Sequence, residues 1–138
     1  MKSTGHRGML LVGDWLSSEA GPVAYVHADG GNNCDLRVDV AGRSLDVEVK
    51  STKGKHPRFI LTKGQCEHIR TYPDNWLMYA VTRAHWTKRY KIHGPYSSAE
   101  VLAAAGGAGH DCRAYPSGRL PDRSPAGPPQ VWRQRRSA

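Results

Sequence analysis

Apolar and polar positions alternate most cleanly in two neighbouring stretches of this chain. In Cys34 to Val40, Leu36, Val38 and Val40 fall on one side and Asp35, Arg37 and Asp39 on the other; in Leu45 to Lys50, Leu45, Val47 and Val49 oppose Asp46, Glu48 and Lys50. A period of two is the signature of a strand with one buried face. Ala41-Gly42-Arg43-Ser44 separates the stretches by a hairpin's length, so they are predicted to pair antiparallel. Pairing Val40 with Leu45 sets Asp39 across from Asp46, Arg37 from Glu48 and Asp35 from Lys50, and all six project from one face because directly opposite residues share a side. Like charges set opposite one another ask for a compensating group, and a hard cation such as Mg²⁺ prefers carboxylate oxygens.

Around this hairpin the spacing changes. Leu11, Val12, Trp15 and Leu16 recur at helical intervals and predict a short helix over residues 9–18, ended by Gly21-Pro22. Val23 to His27 reads as a first strand bounded by the turn-rich Asp29-Gly30-Gly31-Asn32-Asn33. Beyond Lys50 a polar, basic loop leads into a short strand, Phe59-Ile60-Leu61. Thr62 then sits three residues before Gln65, the spacing of a capping box, and predicts a helix running to about Tyr72, ahead of Pro73. Trp76 to Thr82 is an almost unbroken apolar run, expected as a strand buried on both faces. Tyr90-Lys91-Ile92 reads as a further short strand, and Ser97 or Ser98 caps a helix through Ala105. From Gly106 onward Gly, Pro, Ser and Arg dominate without apolar periodicity, which predicts a flexible tail over 106–138, while 1–8 reads as a loose start. The expected body is a single domain over 9–105, α/β in class, with a central mixed sheet of four to five strands flanked by helices.

Composition narrows the function. The chain has 138 residues, 20 Lys and Arg against 12 Asp and Glu, and a formal net charge of +8. Such a field favours polyanionic partners, nucleic acid above all, although part of the excess lies in the tail. Cys34, Cys66 and Cys112 are too few and too scattered for a disulfide framework, which points to a reducing, cytoplasmic compartment. Met9-Leu10-Leu11-Val12 is too short for a membrane span or a secretory core, so no membrane partner is expected. Cys66-x-His68 and His110-x-Cys112 together offer a Cys₂His₂ set, but one-residue gaps are not the usual zinc spacing. Trp86, amid Arg83, His85, Lys88 and Arg89, is either a half-buried aromatic or a platform for a base.

Three segments carry a family resemblance. Asn33-Cys34-Asp35-Leu36, Asp46-Val47-Glu48-Val49-Lys50-Ser51-Thr52 and Phe59-Ile60-Leu61-Thr62-Lys63-Gly64-Gln65 resemble, in order, the motifs of the restriction-endonuclease-like PD-(D/E)XK nuclease superfamily. Within it, the chain over roughly Gly13 to Ile92 is similar to the C-terminal domain of the NO VEIN protein, a family of unknown function. The resemblance implies a restriction-endonuclease-like core and gives Asp35 the place of the motif Asp, Glu48 and Lys50 those of the Glu and Lys. Asp35, Glu48 and the carbonyl of Val49 are then expected to hold one Mg²⁺ or Mn²⁺, with Lys50 orienting a water or offsetting charge on the phosphate. A lysine acts as a base only with a depressed pKa, which favours the electrostatic role. Gln65 is expected to contact the attacking water or the phosphate. The first helix lacks the Glu that some members use; Asp14 and Glu19 are the available substitutes.

The expected function is therefore metal-dependent hydrolysis of phosphodiester bonds in DNA or RNA, DNA ahead of RNA, with catalytic residues Asp35, Glu48, Lys50 and Gln65. The alternative is a catalytically silent module of the same fold that binds nucleic acid or protein. A chain this short would choose its target through a homodimer, a partner protein or its own loops.

Overall fold

The structure, a computed structural model, describes residues 4–26, 34–40, 42–86, 88–106 and 115–127. Its elements run α1 (Thr4–Glu19), β1 (Val23–Tyr25), β2 (Leu36–Val40), β3 (Arg43–Ser51), β4 (Arg58–Ile60), α2 (Lys63–Thr71), a 3₁₀ turn (Pro73–Asn75), β5 (Trp76–Thr82), β6 (Lys91–Ser97), α3 (Ser98–Ala104) and β7 (Ser117–Arg119). Five strands form one mixed sheet in the order β1-β2-β3-β5-β6, and β4 pairs with β7 in a separate ribbon. The class is the expected α/β, with helices on both faces. Among the described strands, β3 and β5 are the neighbours that pair parallel, and a parallel neighbour cannot be reached by a hairpin. The segment carrying β4 and α2 makes the crossover.

The alternation read from the sequence sorts into two cores. Leu36, Val38, Leu45, Val47 and Val49 face α1, where Val12 and Leu16 meet them. β5 is buried on both sides, as its unbroken apolar run predicts: Leu77, Tyr79 and Val81 join the α1 core, while Trp76, Met78 and Ala80 join Phe59, Ile69, Tyr96 and Val101 on the other face. Asp46, Glu48 and Lys50 therefore project from the face turned toward α2.

Four expectations change. The β2–β3 register is two residues tighter, with Val40 opposite Arg43, Arg37 opposite Asp46 and Asp39 opposite Ser44. The cause is a tighter connection, with Gly42 at φ +79° closing a turn shorter than four residues. A shift of two keeps every side chain on its face, so the charged face survives. Second, the helix begins at Thr4, inside the stretch read as a loose start. Gly5 and Gly8 lower its intrinsic propensity, but Gly8 lies so close to Ser51 that a Cβ would stand 3.1 Å from the serine's. Third, β6 extends to Ser97 through Gly94-Pro95, a pair that reads as a break. A register irregularity between Met78 and Ala80 accommodates it.

Fourth, residues 115–127 of the stretch expected to be a flexible tail are packed. Ser117–Arg119 pairs with β4, and Leu120 is buried in the second core. Tyr79 donates from its hydroxyl to the Ala126 carbonyl at 2.8 Å, and Arg123 reaches Glu100 with both guanidinium branches, at 3.1 and 2.5 Å. This segment has little apolar periodicity of its own because it borrows its partners from the body. Cys34 is a free, buried thiol, whereas Cys66 is disulfide-bonded. None of the described helices is long and apolar enough to cross a membrane.

Candidate functional site

Asp35 stands at the entrance to β2. Its backbone is held from both sides, its N–H donating to the Val47 carbonyl at 3.0 Å and its carbonyl accepting from Val26 at 3.1 Å. The carboxylate is thereby delivered to β3, where Oδ2 accepts the Val49 N–H at 2.9 Å. In a strand the N–H and C=O of one residue point to the same edge, so the Val49 carbonyl faces the Asp35 side as well. Glu48 projects beside them. Both acids are deeply set, Asp35 8% and Glu48 3% exposed.

Helix α2 supplies the other half. Thr62 caps it: its hydroxyl accepts the Gln65 N–H at 3.1 Å, and Gln65 Oε1 accepts the Thr62 N–H at 3.0 Å. The same Gln65 Oε1 accepts from Lys50 Nζ at 3.0 Å, and Gln65 Nε2 donates to Glu48 Oε1 at 2.9 Å. Lys50 Nζ is 3.5 Å from that Glu48 oxygen. One amide thus ties the helix start to both charged groups of β3. Gln65, expected on water or phosphate, bonds both of these protein side chains and so positions them relative to each other.

The electrostatics are unbalanced. Burial, followed by the negative charge of Asp35, pushes the Glu48 carboxyl from its ordinary 4.5 to about 8, and the nearby Lys50 ammonium only partly offsets this. Among the described residues the buried Glu48 Oε2 has no hydrogen-bond partner. A buried carboxylate oxygen without a donor is costly unless it is protonated or meets a cation. Asp35, Glu48 and Lys50, separated in sequence, are brought to one place. Among the described residues no three His, Cys, Asp or Glu side chains converge, so the acid set is this pair. Asp14 does not complete it: α1 packs on the opposite face of the sheet, and Asp14 lines a different cleft with Arg7 and His85. His110 and Cys112 lie outside the described residues, and Trp86 carries Arg89 over its ring at 5.3 Å.

The sequence reading missed a neighbouring network. Asp46 accepts from Arg37 Nε at 3.0 Å and lies 3.1 Å from His68 Nε2, so it is engaged from two sides. The signal was present in α2, where Gln65 and His68 are three residues apart and share the helix face turned toward β3.

The fold and this cluster define a mixed α/β domain with a buried pair of acids and a lysine on the sheet face beneath its second helix. The residues that build it fall within a stretch, residues 16–93, that matches the family Protein NO VEIN, C-terminal. That stretch is more than half of the chain, and the protein belongs to this family. No curated protein and no solved structure matches it.

Proposed function

We propose that this protein is a metal-dependent phosphodiesterase of the PD-(D/E)XK type that acts on nucleic acid. The observation that carries the reading is the orphaned, buried Oε2 of Glu48 beside the Asp35 carboxylate. Asp35, Glu48 and the Val49 carbonyl form a donor set of hard oxygens that fits Mg²⁺ or Mn²⁺. When bound, such an ion supplies polarisation of the scissile phosphate and a lowered pKa for water.

The chain's own residues prepare that chemistry. Asp35 is locked by the Val49 N–H and by its backbone bonds, so its carboxylate is oriented before any ligand arrives. Gln65 fixes Glu48 and Lys50 relative to each other, limiting the reorganisation the site needs. The Lys50 ammonium stands where it can offset negative charge growing on a phosphate oxygen. The net charge of +8 draws the polyanion in.

The test is cleavage of labelled DNA and RNA in Mg²⁺ or Mn²⁺, with calorimetry of metal binding. Glu48→Ala and Lys50→Ala are expected to abolish cleavage, and Asp35→Ala and Glu48→Ala to abolish metal binding. Cleavage that persists in Glu48→Ala and Lys50→Ala overturns the assignment. Absent metal binding, with salt-sensitive nucleic-acid binding that survives loss of Glu48, supports a silent binding module instead.

A further inference from the structure

Beside Lys50 the β4–β7 ribbon forms one wall of a cleft of about 610 Å³, whose other wall is the end of β3 and the turn after it, through Ser51 and Thr52. The ribbon's register sets Arg58 directly opposite Arg119 and Ile60 opposite Ser117, and these four are exposed. The alternate positions point inward. Phe59 is buried in the second core, and Gly118 packs so closely on the Ala104 carbonyl carbon that a Cβ would stand 2.8 Å from it. Two further backbone bonds extend the pairing, Leu61 to Pro116 at 2.7 Å and Leu120 to Pro57 at 3.0 Å. The ribbon is therefore a fixed platform.

Its outer face is electrostatically incomplete. Two guanidinium groups directly across a strand pair repel each other. Neither forms an ion pair with a carboxylate among the described residues; Arg119 Nη2 meets only His56 Nδ1, at 3.0 Å. Among the described residues no Asp or Glu lines the cleft, whose charged groups are Lys50, Arg58 and Arg119. Planar guanidinium forks match phosphate oxygens, and hydroxyls such as those of Thr52 and Ser117 add neutral donors.

We propose that this cleft grips the phosphodiester backbone of a nucleic-acid strand next to the bond presented to Asp35, Glu48 and Lys50, with Arg58 and Arg119 clasping the flanking phosphates. This rests on the nucleic-acid reading above and adds to it a path for the strand and the residues that hold it. The ribbon reads no base. Its contacts are to phosphate, so the grip is independent of sequence and sensitive to salt.

The experiment measures binding apart from cleavage. Fluorescence anisotropy of the full chain, with Ca²⁺ in place of Mg²⁺, uses three labelled probes: single-stranded DNA, single-stranded RNA and duplex DNA. Arg58→Gln/Arg119→Gln is compared with Arg70→Gln/Lys91→Gln, which removes the same charge from two exposed positions outside the cleft. The ribbon variant is expected to lose roughly tenfold in affinity near 0.1 M salt, with a salt dependence shallower by about 1.4 logarithmic units on a single strand. The control variant is expected to stay within about threefold, and both to unfold in urea as the wild type does. The probe that loses most identifies the strand type. Equal losses in the two double variants, or an unchanged ribbon variant, overturn the grip while wild-type cleavage leaves the nuclease reading standing. If the wild type binds none of the probes, grip and reading fall together.

Discussion

Replacing Glu48 with glutamine should remove the sensitivity to alkali that this buried carboxyl imposes on the domain. The carboxyl is 3% exposed, carries an orphan oxygen, and is held at a pKa of about 8 against an ordinary 4.5. Burial is the largest cause and the Asp35 charge the second, and together they outweigh Lys50. Because the folded-state value is the raised one, the native protein binds more protons than the unfolded chain between the two values, and stability falls as pH rises through that window. At roughly 1.4 kcal/mol per pKa unit, the loss attributable to Glu48 approaches a ceiling of about 5 kcal/mol above pH 8. That is comparable with the whole stability of a small domain. The glutamine amide keeps the shape of the carboxyl and cannot ionise. Urea unfolding in EDTA at intervals from pH 5 to 8.5 should show the wild type losing several kcal/mol relative to Glu48→Gln. Millimolar Mg²⁺ should restore wild-type stability most strongly at the alkaline end and leave the variant unmoved. Parallel profiles for the two proteins in EDTA would refute the claim that Glu48 is held uncompensated.

Three further outcomes are expected. Gln65→Ala removes the acceptor of the Thr62 N–H and of Lys50 Nζ and the donor to Glu48, and should cost about 2–3 kcal/mol in urea unfolding; a cost near zero would mean that the amide ties nothing together. Leu120→Ala should cost about 2–5 kcal/mol, because the side chain is 2% exposed in the second core; a loss under about 0.5 kcal/mol, normal for a surface site, would show that the segment around β7 is not docked. Gly94→Ala should destabilise by about 2 kcal/mol or more, since the residue has φ +131° and its Cβ would lie 2.8 Å from the Tyr79 ring; thermal melting that matches the wild type would contradict the close approach of β6 to β5.

The sequence disclosed what depends on period and missed what depends on partners. Leu45, Val47 and Val49 declared their face unaided, and Trp76 to Thr82 declared a strand buried on both sides. The capping spacing of Thr62 and Gln65 located the start of α2 and, with it, a residue of the cluster. Hairpin register was illegible because a slip of two residues preserves every face, so alternation alone cannot choose between Arg37 opposite Glu48 and Arg37 opposite Asp46. The start of α1 as far as Gly8, the Gly94-Pro95 strand and β7 were hidden for a different reason. Gly8, Gly94 and Gly118 are each required by a close approach to another element, and a glycine chosen for proximity looks, in one dimension, like a glycine chosen for a turn.

The family match ends at residue 93, yet the wall of the cleft beside Lys50 includes Ser117–Arg119. The two carboxylates and the β7 half of the ribbon are thus written in separate passages of the chain and meet only after folding. Substitutions at 117 or 119 alter the wall of this cleft without touching β3, while Gly118 keeps the ribbon seated on α3. One short exposed strand can therefore be revised while the buried acids stay as they are.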